Sequence, residues 1–156
     1  MVFEDQHEIE VAFKNGELDK DFIAVVKFQG PKARGMPELH KLIPPLAVLQ
    51  DKGYKVALVT DGRMSGASGN VPAPIHLSPE TLYGGIIAKI NNGDLINLNC
   101  EIGHLTLLVD EQVLAKRSSA QSPLEQHHVG MGRVLFGFMR NNLRSADTGA
   151  CSLFKK

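Results

Sequence analysis

The sequence has little that would mark a nucleic-acid binder, a membrane protein or a secreted disulfide scaffold. Lysine plus arginine equals aspartate plus glutamate at 17 each, a formal net charge of zero, so no basic excess draws the chain to a phosphate backbone or an anionic lipid surface. No apolar run approaches the roughly 20 residues that a membrane-spanning helix needs. The opening residues, MVFEDQHEIE, lack the basic start and apolar stretch of a secretory signal. The expectation is a cytoplasmic protein with neither nucleic acid nor membrane as a partner. Cysteine is scarce: Cys100 and Cys151 stand far apart with no CxxC spacing, so this chain offers no zinc or cluster ligand set, and both thiols are expected to stay reduced. What is present is ordinary for a globular domain, with 43% hydrophobic and 22% charged residues over 156 positions, enough for one core without staples.

Along the chain, residues 1–20 place Val2, Phe3, Ile9, Val11, Ala12 and Phe13 among acids and end at Asn15-Gly16, which predicts a helical lead-in. FIAVVKF at 22–28 is β-branched and nearly continuous, as a buried strand is. ELHKLIPPLAVLQDKG has helical apolar spacing, with Pro44-Pro45 breaking or restarting it. YKVALVT at 54–60 is a second strand. Strand, loop, helix, strand, loop is the βαβ rhythm, whose ligands gather where loops leave the carboxyl ends of strands. If the two strands are parallel neighbours, the glycine-rich loops 29–37 and 61–74 share one sheet edge. Downstream, ETLYGGIIAKI, LINLNC and LTLLVD read as β-rich segments between turns, and DEQVLAKR as a short helix. A linker at 118–130 then precedes a final helix near GRVLFGFMRNNLR, with Val134, Leu135, Phe138 and Met139 on one face.

The second loop, DGRMSGASGNVPAP, is longer and richer in function-bearing residues than a connection requires. Its glycines at 62, 66 and 69 permit positive φ and close backbone approach, and Ser65 stands between Arg63 and Ser68. It is neither a Walker loop nor a G-x-S-x-G elbow, since Arg63 occupies the position two before the serine. Asp61 capping a turn eased by glycines is the plain alternative. A serine hydroxyl needs a neighbouring base or a Lewis-acidic metal to act at neutral pH, yet His40, His76 and His104 are scattered, and the adjacent His127-His128 side chains suit a loop better than a metal site. In the first loop, Glu38 is either a first-turn helix acid or a carboxylate held at the strand end, with Lys32, Arg34 and Lys41 near it in sequence to receive an anion.

VVKFQGPKARGMPELHKL and ALVTDGRMSGASGNVPAPIHLSPE together resemble the carboxy-terminal part of the dihydroxy-acid and phosphogluconate dehydratase family. The family signature T-D-G-R-[apolar]-S-G ends at Gly66, and GMPELHKL and GASG have the form of the phosphogluconate branch. The likeness continues through AKINNGDLI, EIGHLTLLVD and VGMGRVLF, essentially the whole chain. It implies a strand-rich, mixed α/β fold of the swivelling β/β/α type, a barrel-like sheet flanked by helices, with residues 1–156 forming a single carboxy-terminal domain of a longer dehydratase. It also implies a hydro-lyase of the Entner-Doudoroff pathway that converts 6-phospho-D-gluconate to 2-dehydro-3-deoxy-6-phospho-D-gluconate and water. A dihydroxy acid or another sugar acid is the alternative substrate, and a non-catalytic sugar-phosphate-binding module is the alternative of another class. By the same resemblance, Ser65 is the base and Glu38 a ligand of Mg2+. Among the substrate-binding candidates, Arg63 or Lys32 is expected to meet the carboxylate or the phosphate of the sugar-acid phosphate, Gly66 to let its oxygens reach backbone donors, and Ser68 to be the second hydroxyl because Ala67 carries none. The amino-terminal domain holds the iron-sulfur cluster, and the full-length protein is a homodimer. The domain alone is then expected to be inactive.

Overall fold

A computed structural model describes residues 1–65, 69–123 and 129–153. Strands β1 (Val2–Phe3), β2 (Phe22–Val26) and β3 (Val56–Thr60) form a parallel sheet in that order. Phe22 pairs with Val56 and the register runs to Val26 against Thr60, while Val2 pairs with Val25. Between β1 and β2 lies α1 (Gln6–Lys14), started by the Asp5 carboxylate accepting the His7 N–H and ended at Asn15. The lead-in is thus a short strand and a helix. The aromatic and β-branched pair at Val2-Phe3 completes the sheet edge before the helix begins.

Helix α2 (Ile43–Asp51) follows a 3₁₀ turn at His40–Leu42 and carries its two prolines in the first turn. There the missing N–H groups have no intrahelical partner to lose, so the prolines restart the chain as a helix. Both faces of the parallel sheet are covered, which is why the strands read as continuous apolar runs. On one face Ala24, Val26 and Leu58 pack with Ile9, Leu18, Leu42, Leu46 and Leu49. On the other, Val25 and Val59 pack with Ile87 and Ile90.

Residues 81–90 are not a strand as their β-branched content predicts. They form two 3₁₀ turns, Thr81–Tyr83 and Ile86–Lys89. Gly85 lies directly against the Pro79 carbonyl, where a Cβ would collide. The buried Lys27 ammonium donates to the Ile90 carbonyl at 2.7 Å and the Ala88 carbonyl at 3.4 Å, so these carbonyls are satisfied without a neighbouring strand. Strands β4 (Ile96–Asn99) and β5 (His104–Leu107), from the β-rich stretch after residue 94, pair as an antiparallel hairpin whose Ile96 and Leu107 rest on the second cluster.

Asp110 caps α3 (Glu111–Lys116). The final helix is divided into α4 (Met131–Leu135) and α5 (Gly137–Asn141), interrupted where Gly137 weakens helix propensity. The anticipated linker lies partly outside the described residues; within it, the Ala120 N–H donates to the Ala88 carbonyl. The fold is therefore mixed α/β, with a parallel sheet, an antiparallel hairpin and helices, and no barrel closes among the described residues. No described helix is long and apolar enough to cross a membrane.

Candidate active site

Because β2 and β3 are parallel, the loops that follow them leave the same sheet edge, and they touch there through a parallel bridge between Glu38 and Arg63. Gly62 sits where the loops are pressed together. A Cβ on it would come within 2.6 Å of Gln29 Cβ and 3.0 Å of Leu39 Cδ1, so this glycine serves loop-on-loop packing rather than ligand approach. After the second loop, residues 72–77 run beside β3: the Leu58 N–H donates to the Pro72 carbonyl and the Thr60 N–H to the Pro74 carbonyl. Pro72 and Pro74 accept through their carbonyls and donate nothing, so this edge segment pairs with β3 only in part.

Two buried carboxylates fasten the first loop from beneath. Asp61 accepts the Gln29 N–H at 2.9 Å through one oxygen and the Thr81 N–H at 2.8 Å through the other. Glu80 accepts the Lys32 N–H at 2.9 Å and the Ala33 N–H at 3.1 Å. Burial pushes the Glu80 carboxyl above its ordinary range, and the neighbouring Asp61 charge adds to this, against the two N–H donors. Phe28, Met36 and His76 all adopt positive φ, at 58°, 54° and 57°. Such conformations for large side chains persist only where surrounding structure fixes them, and here they border the two loops. Asp61 and Glu80 escape a reading of motifs because their role is to hold backbone, although an acid directly after a β-branched strand, at Thr60-Asp61, was a legible hint for the first.

On this platform the sequence-predicted residues Glu38, Arg63 and Ser65 converge. The Ser65 hydroxyl donates to Glu38 Oε2 at 2.6 Å and its N–H to Oε1 at 2.9 Å. Arg63 Nη1 donates to Oε2 at 2.9 Å, and Arg63 Nε to the Met36 carbonyl at 2.8 Å. The His40 N–H donates to Oε1 at 3.0 Å. Hydrogen bonds to the charged form, the Ser65 hydroxyl first and the Ser65 N–H next, with the Arg63 charge adding to them, hold the Glu38 carboxyl below its ordinary range against slight desolvation. A carboxylate so stabilised orients a hydroxyl well and is a poor proton acceptor. The cluster is open to solvent, the Arg63 and Glu38 side chains being 45% and 35% exposed, so a substrate can reach it.

Lys32 is set apart, its ammonium 4.5 Å from the centre of the Tyr83 ring. Gly66, Ser68 and the His127-His128 pair lie outside the described residues. Cys100 is exposed and Cys151 half-buried, with no disulfide between them. Among the described residues no three His, Cys, Asp or Glu side chains converge as a metal would require. Glu38 and Ser65 together offer two adjacent oxygens, part of a hard-cation site.

Residues 1–150 match the model of a family described as dihydroxy-acid/6-phosphogluconate dehydratase, C-terminal. The chain is 56% identical to a phosphogluconate dehydratase of Pseudomonas aeruginosa over 151 residues, covering 97% of this chain and 25% of that protein. It is 55% identical to the phosphogluconate dehydratase of Escherichia coli K12, over 96% of this chain and 25% of the relative. A dihydroxy-acid dehydratase of Pyrococcus furiosus is 33% identical over 96% of this chain and 26% of its own length. The chain thus spans about a quarter of the length of these relatives. It belongs to the dihydroxy-acid/6-phosphogluconate dehydratase family, whose carboxy-terminal region it matches almost end to end.

Proposed function

We propose that this chain is the carboxy-terminal, swivelling β/β/α domain of a cytoplasmic, homodimeric phosphogluconate dehydratase, a hydro-lyase that converts 6-phospho-D-gluconate to 2-dehydro-3-deoxy-6-phospho-D-gluconate and water. The observation that carries the reading is the 2.6 Å hydrogen bond from the Ser65 hydroxyl to Glu38 at the carboxyl edge of a parallel sheet. The identity of 51–56% to seven phosphogluconate dehydratases, against 33% to the dihydroxy-acid enzyme, favours the phosphorylated substrate.

Dehydration requires loss of the proton beside the carboxylate and departure of the hydroxyl on the neighbouring carbon. Ser65 Oγ is the base for that proton. Glu38 fixes the direction of Ser65 Oγ and, with its basicity depressed, does not take the serine proton, which has to leave to solvent before Ser65 can act as the base. Arg63, ion-paired with Glu38, lies beside the reacting end of the substrate and meets its carboxylate, with Gly66, Ser68 and Lys32 as further contacts. Glu38 and Ser65 are the residues of this chain that would hold magnesium, which when bound supplies the positive charge that acidifies a hydroxyl and offsets the developing enediolate. The described residues contain no ligand set for an iron-sulfur cluster, whose place in this proposal is the amino-terminal region.

The test is turnover by the purified full-length protein of 6-phosphogluconate, a branched dihydroxy acid and an unphosphorylated aldonic acid. Preference for the phosphorylated acid is expected. Exclusive turnover of an unphosphorylated acid contradicts the proposal, and affinity for 6-phosphogluconate without turnover would make the protein a binding module.

A further inference from the structure

A cleft of about 220 Å³ opens between the first loop and the α4–α5 segment, with Arg34 and Gly35, three residues before Glu38, on one side and Arg133, Phe136, Arg140 and Leu143 on the other. Three of the residues lining it are arginines and none is an acid. Arg34 is neutralised by Asp5 at 2.9 Å. Among the described residues, neither Arg133 nor Arg140 has a carboxylate within ion-pairing distance. In a chain whose charges balance at 17 against 17, this is a local excess. Two further contacts hold the far wall in place. Arg140 Nη2 donates to the Arg133 carbonyl at 3.0 Å, and the Tyr83 hydroxyl donates to the Leu143 carbonyl at 3.0 Å while its ring lies under the Lys32 ammonium.

We infer that this cleft is the subsite for the terminal phosphate of the substrate, bound by Arg133 and Arg140 with Arg34 at its rim. The inference rests on the phosphorylated-acid reading above and adds to it the residues that distinguish a phosphorylated from an unphosphorylated sugar acid. Guanidinium groups bind phosphate through two parallel N–H bonds, and Arg133 and Arg140 both line the cleft. The placement fits the reaction. Gly35 is three residues before Glu38, and three residues span at most about 10–11 Å. The phosphate therefore lies within a short chain's length of Glu38 and Ser65, as the far end of an extended six-carbon acid must. It also divides the labour among the basic groups: Arg63 is committed to Glu38 at the reacting end, leaving Arg133 and Arg140, which have no ion pair among the described residues, for the phosphate.

The experiment uses the full-length, cluster-containing enzyme and compares wild type with Arg133→Gln, Arg140→Gln, the conservative Arg140→Lys and, as a control outside the lining of the cleft, Lys116→Gln. Each Gln variant is expected to raise KM for 6-phosphogluconate by about tenfold or more, the size of one lost charge-assisted hydrogen bond. The fall in kcat should be smaller, inhibition by inorganic phosphate should weaken in parallel, and Arg140→Lys should recover part of the loss. Lys116→Gln should match wild type. Unchanged KM and unchanged phosphate inhibition in both Gln variants overturn the inference. So does a loss confined to kcat or to assembly with the rest of the polypeptide, which would make the cleft a docking face. If wild type turns over only unphosphorylated acids, the functional reading fails separately. Phosphate inhibition that is strong in wild type and weak in the Gln variants would then still support an anion subsite, and its absence would remove it.

Discussion

Residues 1–90 and residues 91–153 are built differently. Every buried residue among those described lies in the first region, from Phe3 to Thr81 and on to Ile90, and none lies in the second. The second region instead exposes large apolar side chains: Leu95, Ile102, Val129, Met131, Val134, Leu135 and Phe138 are each at least 66% exposed. The first region holds the buried core and carries the Glu38–Arg63–Ser65 edge. The second leans on it through a few contacts, such as Ile96 and Leu107 on the second cluster. Exposed apolar surface of this extent is a feature of interaction faces, and relatives four times as long supply a ready source of cover. The exposed Met131, Val134, Leu135 and Phe138, which do not line the arginine cleft, are the side chains expected to pack against the amino-terminal part of the full-length protein.

The largest effect that sharpens this contrast comes from paired truncations. Leu58→Ala in the core should cost the isolated domain about 2–5 kcal/mol in urea unfolding, whereas Leu135→Ala should fall within about 0.5 kcal/mol, as surface substitutions do. In the full-length protein the Leu135 variant should become destabilising. Equal costs in the isolated domain would break the contrast.

Glycines provide a second comparison. Gly85→Ala drives a Cβ into the Pro79 backbone and should cost more than about 1–3 kcal/mol, the usual range for overpacking. Gly132→Ala lies in α4 with nothing within 4 Å of the new carbon and should stabilise by about 0.5–1 kcal/mol. Thermal unfolding of both reads the two signs.

These regions also differed in how much their sequence disclosed. FIAVVKF and YKVALVT were legible as buried strands because their apolar residues face partners within the same region, and the shared edge followed from the βαβ order. Glu38 and Ser65 were legible only through a family signature, since spacing cannot show that two loops 27 positions apart meet. Ile86, Ile87 and Ile90 predicted a strand because β-branched content does not reveal that Lys27 and Gly85 stabilise turns there. The final helix appeared continuous because an apolar stripe reports burial, and among the described residues that stripe has nothing to bury against. Glu80 was missed, and Asp61 was read only as a cap on its own turn, because a carboxylate that anchors backbone far away in sequence carries no motif.

The smallest expected effect concerns acids. Burial raises the Glu80 carboxyl; its contribution to stability is full below the ordinary glutamate value of about 4.3 and is lost as pH rises through its own higher value. Asp147 in the second region is held low by the Ser145 and Ser78 hydroxyls; its contribution is present above the ordinary aspartate value of about 3.9 and is lost as pH falls through its own lower one. Urea midpoints across this range should show Glu80→Gln removing the loss toward neutral pH while weakening the grip on the Lys32 and Ala33 N–H groups. Asp147→Asn, at an exposed site, should barely change the acid limb.

The most direct measurement is the turnover of 6-phosphogluconate by the full-length Ser65→Ala variant, anaerobically with magnesium, with cluster content matched to wild type. The expected result is an intact cluster and a fall in kcat of about a hundredfold or more, the range for a lost general base. Turnover within a few-fold of wild type would contradict the assignment of Ser65 as the base and leave the loop as scaffold.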